Sequence, residues 1–138
     1  AQPDLIVVED ALVNSLSAQT LTNNDNCFVE EGCVNGLGLR QILRFTTHIR
    51  NVGNQDFYVG APPANPADAN EVWEYDECHG HWHYEGYAEY VLFDDNGNLV
   101  PIGFKNGFCL IDVECSGGGN FTYNCNNQGI SAGCGDIY

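Results

Sequence analysis

The sequence predicts an all-β protein, a small antiparallel β-sandwich with long disulfide-tied loops and little helix. Short runs of β-branched, aromatic and other apolar residues are separated by clusters of Gly, Asn, Asp and Pro, a pattern typical of strands and turns. No stretch shows a convincing helical period, and the sequence has no internal repeat. Beyond Cys115 the chain is rich in Gly and Asn and poor in apolar residues, so disulfides rather than packing are expected to hold it.

The predicted elements follow from local patterns taken in chain order. Residues 4–8 are a short apolar run of strand type, and an irregular segment rich in Asn, Ser and Thr is expected from there to Asn26. The Pro-rich segment 61–66 cannot be a central strand, because proline has no amide hydrogen to donate. The polar cluster 94–98 predicts a hairpin turn. The other strand candidates are 41–52, the stretch around 79–93 and 99–104, and an apolar run follows at 108–111.

Three of the four histidines, His79, His81 and His83, stand at alternate positions. In an extended strand, residues i, i+2 and i+4 share a face, so the three imidazoles are expected to converge and Cys78 to point away. Neutral imidazole suits zinc, copper, nickel or iron, and three nitrogens without a thiolate pair favour a site open to water or substrate. The sequence therefore predicts a metal site, and we interpret His48, the fourth histidine, as structural.

Composition limits the class of protein further. At 138 residues the chain is expected to be one domain with its own core. The formal net charge of -15 argues against nucleic acid as a partner, because a phosphate backbone requires a basic surface. No run of roughly 18 or more apolar residues predicts a membrane span. Seven cysteines, a sequon at Asn120 and a start that reads like a processed terminus, Ala1-Gln2-Pro3, favour a secreted, extracellular protein.

Four separated segments of the chain form a recognisable set: 43–45 (LRF), 73–83 (WEYDECHGHWH), 103–112 (GFKNGFCLID) and 128–138 (QGISAGCGDIY). In sequence and in order, they resemble the catalytic domain of the lysyl oxidase family. The resemblance covers most of the chain from about Cys27 onward. Because the family consists of copper-dependent amine oxidases, the resemblance implies copper at the histidine motif.

The resemblance also implies a cofactor built from the protein's own side chains, lysyl tyrosylquinone. Its lysine corresponds to Lys105, which is the only lysine in the chain, and its tyrosine corresponds to Tyr138. In the family's reaction a primary amine condenses with the quinone, a base removes the α-proton, and oxygen reoxidises the ring to give aldehyde, ammonia and hydrogen peroxide. Glu89, which has the strand parity of the histidines, and Asp112 are the candidate bases. The expected substrates are primary amines or lysine-bearing proteins.

The family's disulfide pattern leaves one cysteine of this chain, Cys134, without an intrachain partner. In the family its partner lies beyond the cofactor tyrosine, so the C-terminal part of the family domain is expected to be absent here. Self-assembly through Cys134 or by strand addition would fit such an incomplete domain. The pairs that the resemblance implies are Cys27 with Cys33, Cys109 with Cys115, and Cys78 with Cys125.

Two functions of other classes remain open on the sequence. A structural or assembly module of an extracellular fibre or surface would keep the copper-binding fold without turnover. A zinc hydrolase would use the same three histidines but would give no role to Lys105 or Tyr138. Asp76, which replaces a histidine of vertebrate family members, has the opposite strand parity to the triad and is expected to have little effect on the metal site.

Overall fold

The computed structural model describes residues 1–101 and 107–138. Strands account for 35% and helices for 11%, which confirms the all-β class. The described helices are α1 (Glu9–Ser15) and α2 (Cys27–Glu30), with a 3₁₀ turn at Pro66–Asp68, and none is long and apolar enough to cross a membrane. The strands are β1 (Leu5–Val7), β2 (Ser17–Asn23), β3 (Gly38–Arg44), β4 (His48–Asn51), β5 (Phe57–Gly60), β6 (Trp73–Asp76), β7 (His81–Tyr84), β8 (Leu92–Phe93), β9 (Leu99–Val100), β10 (Gln128–Ile130) and β11 (Gly135–Ile137).

The strands form several small antiparallel sheets. β4 lies at the centre of a three-stranded sheet, with β1 on one side and β11 on the other. Elsewhere in the described ranges, β2 pairs with β3, β5 with β10, β6 with β7 and β8 with β9. The β8–β9 hairpin closes on residues 94–98, which confirms the predicted turn. β11 leads directly into Tyr138, whose backbone exchanges hydrogen bonds of 2.9 and 3.0 Å with Thr47, so the central sheet fixes the position of this residue.

Three sequence predictions of local structure are wrong. The stretch beyond Cys115, expected to be held by disulfides rather than by packing, contains β10 and β11 and contributes Ile130 and Cys134 to the core. The segment expected to be irregular up to Asn26 contains α1 and β2. The seven residues of α1 are too few to show a helical period, and β2 is polar, so its conformation follows from pairing along its whole length with β3. The predicted strand 41–52 is divided, because β3 ends at Arg44 and β4 begins only at His48.

The core is small and is supported by buried polar side chains. Ile49, Ile130 and Cys134 form its centre, with Leu5 and Phe57 among the partly buried residues packed against it. Polar groups in such a setting need hydrogen-bond partners, because an unpaired buried group is costly. The buried amides supply cross-connections: Asn51 donates to the Ile130 carbonyl at 3.1 Å, and Gln128 donates to the Trp82 carbonyl at 2.8 Å and accepts from the Leu110 amide at 2.9 Å.

The disulfide pairs implied by the resemblance are all wrong. The structure instead pairs Cys27 with Cys78, Cys109 with Cys125, and Cys115 with Cys134. Cys134 therefore has an intrachain partner. The antiparallel bridge between Glu114 and Gly135 explains this pair, because it places the two neighbouring cysteines side by side. Cys33 lies outside these three disulfides, and its Sγ is 3.8 Å from Oε2 of Glu31.

Candidate metal centre and the neighbouring tyrosine

The histidine motif occupies a β-hairpin formed by β6 and β7, with residues 77–80 as its turn. His81 and His83 share one face of β7, as the sequence predicts. His79 lies in the turn, so the expectation of one continuous strand through the three histidines is wrong. The chain reverses at Gly80, whose φ of 68° is in the left-handed region that glycine adopts readily.

The three imidazoles converge even though only two of them lie on a strand. One ring nitrogen from each of His79, His81 and His83 lies within 4.8 Å of the other two. Nε2 of His81 and Nε2 of His83 are 3.2 Å apart. Two nitrogens bound to one ion at about 2.0–2.1 Å would be separated by about 3 Å, so this spacing fits ligation of a single metal ion. His83 is 4% exposed and the His79 side chain 41%, so the cluster is open to solvent on the His79 side.

Asp76 belongs to this cluster, contrary to the expectation drawn from strand parity. It lies directly opposite His81 across the hairpin, and side chains opposite each other on antiparallel strands share a face. Parity counted along the chain does not apply, because the turn separates Asp76 from the histidines. Its Oδ2 is 3.3 Å from Nδ1 of His83 and 3.3 Å from Nδ1 of His79. A carboxylate at Nδ1 leaves Nε2 of each ring available as the ligand atom.

Neighbouring carboxylates also fix the turn that carries His79. Oδ1 of Asp76 accepts hydrogen bonds from the backbone amides of Cys78 at 2.8 Å and His79 at 3.1 Å. The disulfide between Cys27 and Cys78 fastens α2 to the same turn. Glu31, at the C-terminal end of α2, places Oε1 3.2 Å from Nδ1 of His79. The position of the exposed histidine is therefore set by two carboxylates and one covalent bond.

Asp76→Asn is expected to weaken metal binding by roughly 10–100-fold, because Asp76 orients two of the predicted ligands. Burial alone would raise the pKa of Asp76, but the backbone hydrogen bond from His79 and the charges of His83 and His79 lower it, so the carboxylate is ionised near neutral pH. Competition against a chelator of known affinity measures the change. Asp68→Asn, on the exposed 3₁₀ turn, is the matched control. Equal affinities of the two variants would contradict a role for Asp76.

His48 does not take part in the histidine cluster. On β4, its Nε2 is 3.1 Å from Oε1 of Glu114, and Nε of Arg50 is 2.8 Å from the same oxygen. Burial by itself would raise the pKa of Glu114, but hydrogen bonds from Ser116 and His48 and the charge of Arg50 lower it to about 2. These contacts join β4 to the segment before Cys115, and they fit the structural interpretation of His48.

Tyr138 lies half-buried against a carboxylate. Its hydroxyl donates a hydrogen bond to Oδ2 of Asp136 and lies 3.2 Å from the carbonyl oxygen of Cys109. The ring packs on Phe108, with 4.3 Å between the ring centroids. Burial, together with the charge of Asp136 and this hydrogen bond, raises the pKa of Tyr138 well above its ordinary value. The phenol is therefore protonated at any physiological pH.

Gly107 and Phe108 connect the histidine cluster to Tyr138. The amide of Tyr84, at the end of β7, donates to the Phe108 carbonyl at 2.8 Å. A Cβ atom on Gly107 would lie 2.8 Å from Cβ and 2.9 Å from Nδ1 of His83, so the close approach requires glycine. One residue of this pair thus touches His83 and the next packs on Tyr138.

Asp112, one of the two predicted bases, is enclosed by donors. It is 8% exposed, and a buried carboxylate with both oxygens occupied is typical of an anchor that organises a loop. Its use as a base stays a prediction. The donors are the amides of Thr122, Tyr123 and Ser131, at 2.8, 3.1 and 2.8 Å, and the Ser131 hydroxyl at 2.7 Å.

Glu89 and Lys105 are not brought to the site by the described part of the chain. Glu89 is exposed, and the turn at 85–87 ends the regular alternation of β7, so the parity argument for it does not apply. Lys105 lies outside the described residues, two positions before Gly107. Glu89 as the base and Lys105 as the cofactor lysine stay predictions.

Asp136 is a candidate functional residue that the sequence analysis did not name. It is 1% exposed and touches the hydroxyl of Tyr138. The available signal was its position two residues before Tyr138, since alternate residues of a strand share a face. Tyr87 is a further polar side chain in this buried region, and its hydroxyl has no hydrogen-bond partner among residues 1–101 and 107–138. Burial is the main cause that raises the pKa of Tyr87, and the charge of Asp136 is the second.

The fold and the site together define a class, an all-β protein with a three-histidine candidate metal centre next to a carboxylate-bound tyrosine. Comparison with known families identifies the class, since the lysyl oxidase family matches residues 6–138. The chain belongs to the lysyl oxidase family.

Individual relatives give the same result. The chain is 36% identical over 124 residues to lysyl oxidase homolog 2 of Homo sapiens, a match that covers 81% of this chain and 15% of the relative. Lysyl oxidase homolog 2 of Bos taurus matches to the same extent. Lysyl oxidase homolog 3 of Homo sapiens is also 36% identical over 124 residues, which cover 16% of its length. The chain thus spans about one sixth of the length of these curated relatives.

Proposed function

We propose that this chain, residues 1–138, is a secreted lysyl oxidase-like domain that acts as a copper-dependent amine oxidase. It would convert primary amines, including lysine side chains of proteins, to aldehydes with release of ammonia and hydrogen peroxide. The observation that carries the proposal is the position of Gly107 and Phe108, which contact His83 and Tyr138 respectively. In the sequence, Gly107 follows Lys105 by two residues.

His79, His81 and His83 would hold the copper ion, and their donor set fits it. Neutral imidazoles suit copper, and the 3.2 Å separation of two Nε2 atoms is that of ligands on one ion. When bound, copper supplies the redox chemistry with dioxygen that a cofactor made from Tyr138 and Lys105 needs. Asp76 orients two of the rings through Nδ1.

The other residues of the site would orient the phenol and exclude water. Phe108, 3% exposed, packs on the Tyr138 ring, and Asp136 accepts the hydrogen bond of the Tyr138 hydroxyl. The backbone pairing with Thr47 fixes the main chain of Tyr138. The net charge of -15 would attract cationic amines to the protein by electrostatic steering.

A covalent bond between Lys105 and Tyr138 is the expected result when the protein is loaded with copper under oxygen. Proteolysis followed by mass spectrometry would show one cross-linked species containing the Lys105 peptide and the peptide that ends in Tyr138, with a mass consistent with an oxidised ring. A sample handled with zinc in place of copper is the control, since zinc has no redox chemistry. Unmodified Lys105 and Tyr138 in a protein with a full complement of copper would contradict the oxidase proposal.

The structure weakens the two alternative functions. An assembly module was favoured by the expected absence of the C-terminal part of the family domain and by an odd cysteine at position 134. The second ground no longer holds, because Cys134 pairs with Cys115 in the same chain. A zinc hydrolase would need only the histidines and would give no role to the buried carboxylate that accepts the hydrogen bond of Tyr138.

A further inference from the structure

We propose that Asp136 is the proton acceptor for the hydroxyl of Tyr138 when this tyrosine is oxidised to form the cofactor. The inference rests on the proposed function, because it concerns the step that makes Tyr138 reactive. It assigns a chemical role to a carboxylate that also anchors the backbone of Ile111. The Tyr138 hydroxyl lies 3.2 Å from the carbonyl oxygen of Cys109, but of its two contacts only Asp136 carries a group that can take up the proton.

The geometry is that of a preformed proton-transfer pair. Oδ2 of Asp136 accepts the hydrogen bond of the Tyr138 hydroxyl, and it also accepts the amide of Ile111 at 3.0 Å. Oδ1 accepts the amide of Ile137 at 2.9 Å. These backbone donors hold the carboxylate plane in one orientation, and Phe108 holds the phenol ring against it. The carboxylate and the phenol are therefore aligned with each other, which is the requirement for efficient general base catalysis.

In the proposed step, Tyr138 loses one proton to Asp136 and one electron to copper, which is the oxidant. The O–H bond of Tyr138 breaks, and an O–H bond forms at Oδ2 of Asp136. The electron that leaves the phenol ring would be accepted by a cupric ion, which His79, His81 and His83 would hold and which would be reduced to the cuprous state. Without a proton acceptor the oxidised phenol would keep its proton in a buried site, where an added positive charge is costly.

The charged and titratable groups around Asp136 make this carboxylate sensitive to pH near neutrality. Burial raises the pKa of Asp136 to about 6, and the charge of Asp112 acts in the same direction, while hydrogen bonds from Tyr138 and the backbone oppose it. Among the described residues, Tyr87 is a further titratable side chain near Asp136, whose charge raises the pKa of the Tyr87 hydroxyl. On the neighbouring strand β4, His48 and Arg50 are engaged with Glu114. Asp136 therefore becomes able to accept a proton as the pH rises through about 6.

The first arm of the test uses metal-free protein and needs no turnover. The protein is labelled with carbon-13 at the ring carbon of tyrosine that bears the oxygen. Carbon NMR then records the chemical shifts of the seven tyrosines as a function of pH. The signal that is missing from the Tyr138→Phe variant is assigned to Tyr138. The wild-type signal is expected to show an inflection near pH 6, when its hydrogen-bond partner ionises. Asp136→Asn should remove this inflection. The matched control is Asp56→Asn, because Asp56 makes a similar bond to another tyrosine, with its Oδ2 2.9 Å from the Tyr123 hydroxyl.

The second arm measures how fast the Lys105–Tyr138 cross-link forms in copper-loaded protein under oxygen, with bound copper quantified at every pH. The wild-type rate per bound copper is expected to rise through about pH 6. Asp136→Asn should slow cross-linking by about 100-fold or more, as loss of a positioned base does. Asp56→Asn should cross-link at the wild-type rate. The wild-type pH profile keeps the test decisive even if Asp136→Asn fails to fold.

The outcomes separate this inference from the proposed function. Cross-linking of Asp136→Asn at the wild-type rate would overturn the role of Asp136 and leave the oxidase proposal standing. If the Tyr138 signal of the wild type shows no inflection near pH 6, the hydrogen bond between Asp136 and Tyr138 would be wrong, and the inference with it. If the wild-type protein shows the inflection but Tyr138 stays unmodified with copper and oxygen present, the oxidase proposal is wrong. The proton-transfer step, which rests on that proposal, is then wrong as well. Loss of both the inflection and rapid cross-linking in Asp136→Asn alone would support the inference.

Discussion

His83→Ala is expected to abolish tight copper binding and every activity that depends on it. His83 is the most deeply buried of the three histidines, at 4% exposure, and its Nε2 lies 3.2 Å from that of His81. Its loss removes one of three nitrogen ligands and leaves the Asp76 carboxylate without one of its two imidazole partners. The affinity should therefore fall by more than the roughly 10–100-fold expected when only an orienting residue is lost. Equilibrium dialysis or chelator competition with copper measures the loss.

His48→Ala is the control for this experiment. His48 contacts Glu114, and its substitution should leave copper affinity unchanged while it weakens the ion-pair network on β4. The far-ultraviolet circular dichroism of both variants should match that of the wild type, because the three disulfides remain in place. Copper binding by His83→Ala with wild-type affinity would show that the three histidines are not the metal site. Loss of copper from both variants would point to a general effect on the fold.

The sequence predicted both the hairpin turn at 94–98 and the convergence of the histidines. The first prediction rests on local turn chemistry and the second on the alternation of side chains along a strand. The hairpin follows from local chemistry, because Asp94 accepts backbone hydrogen bonds from Asn96 and Asn98 within the turn itself. The histidine cluster was expected from strand alternation, which holds for His81 and His83 only. His79 joins them through a turn whose shape depends on the side chain of Asp76.

Counting alternate residues along a strand assigned the wrong face to side chains that lie beyond a turn. The sequence alone did not show where these turns are. Asp76 was expected to point away from the histidines, yet it faces His81 across the hairpin. Glu89 was grouped with the histidines, yet the turn at 85–87 separates it from β7. Alternation is a property of one uninterrupted strand, so every undetected turn shifts the face assigned to the residues beyond it.

The disulfides were the least predictable feature because their pairing depends on long-range sheet contacts. Cys27 and Cys78 are separated by 51 residues, and they meet where the end of α2 lies beside the turn of the β6–β7 hairpin, with Glu31 3.2 Å from His79. Seven cysteines allow many pairings, and spacing favours short loops that the fold does not use. Asp136 was missed for a related reason. Its place two residues before Tyr138 puts it on the same face of a strand, but the sequence pattern of a short C-terminal strand does not show that Asp136 is buried.

Replacing Cys115 and Cys134 together by serine is expected to lower the free energy of unfolding by about 3 kcal/mol. The bond closes a loop with a sequence separation of 19, and Cys134 is fully buried at the centre of the core. Cys134 also directly precedes β11, so the variant should loosen Asp136 and Tyr138. Urea unfolding measures the stability, and the Tyr138 carbon signal should lose its inflection near pH 6. Copper affinity should stay unchanged, because the histidine hairpin is fastened by a different disulfide.

The double variant Cys27→Ser with Cys78→Ser is the reciprocal experiment. This disulfide joins α2 to the turn that carries His79, so its loss should weaken copper binding and leave the Tyr138 inflection intact. The two variants thus separate the support of the metal centre from the support of the tyrosine. If both variants lost copper affinity and the Tyr138 inflection together, the two halves of the site would be one cooperative unit. The separate roles that we assign to the two disulfides would then be wrong.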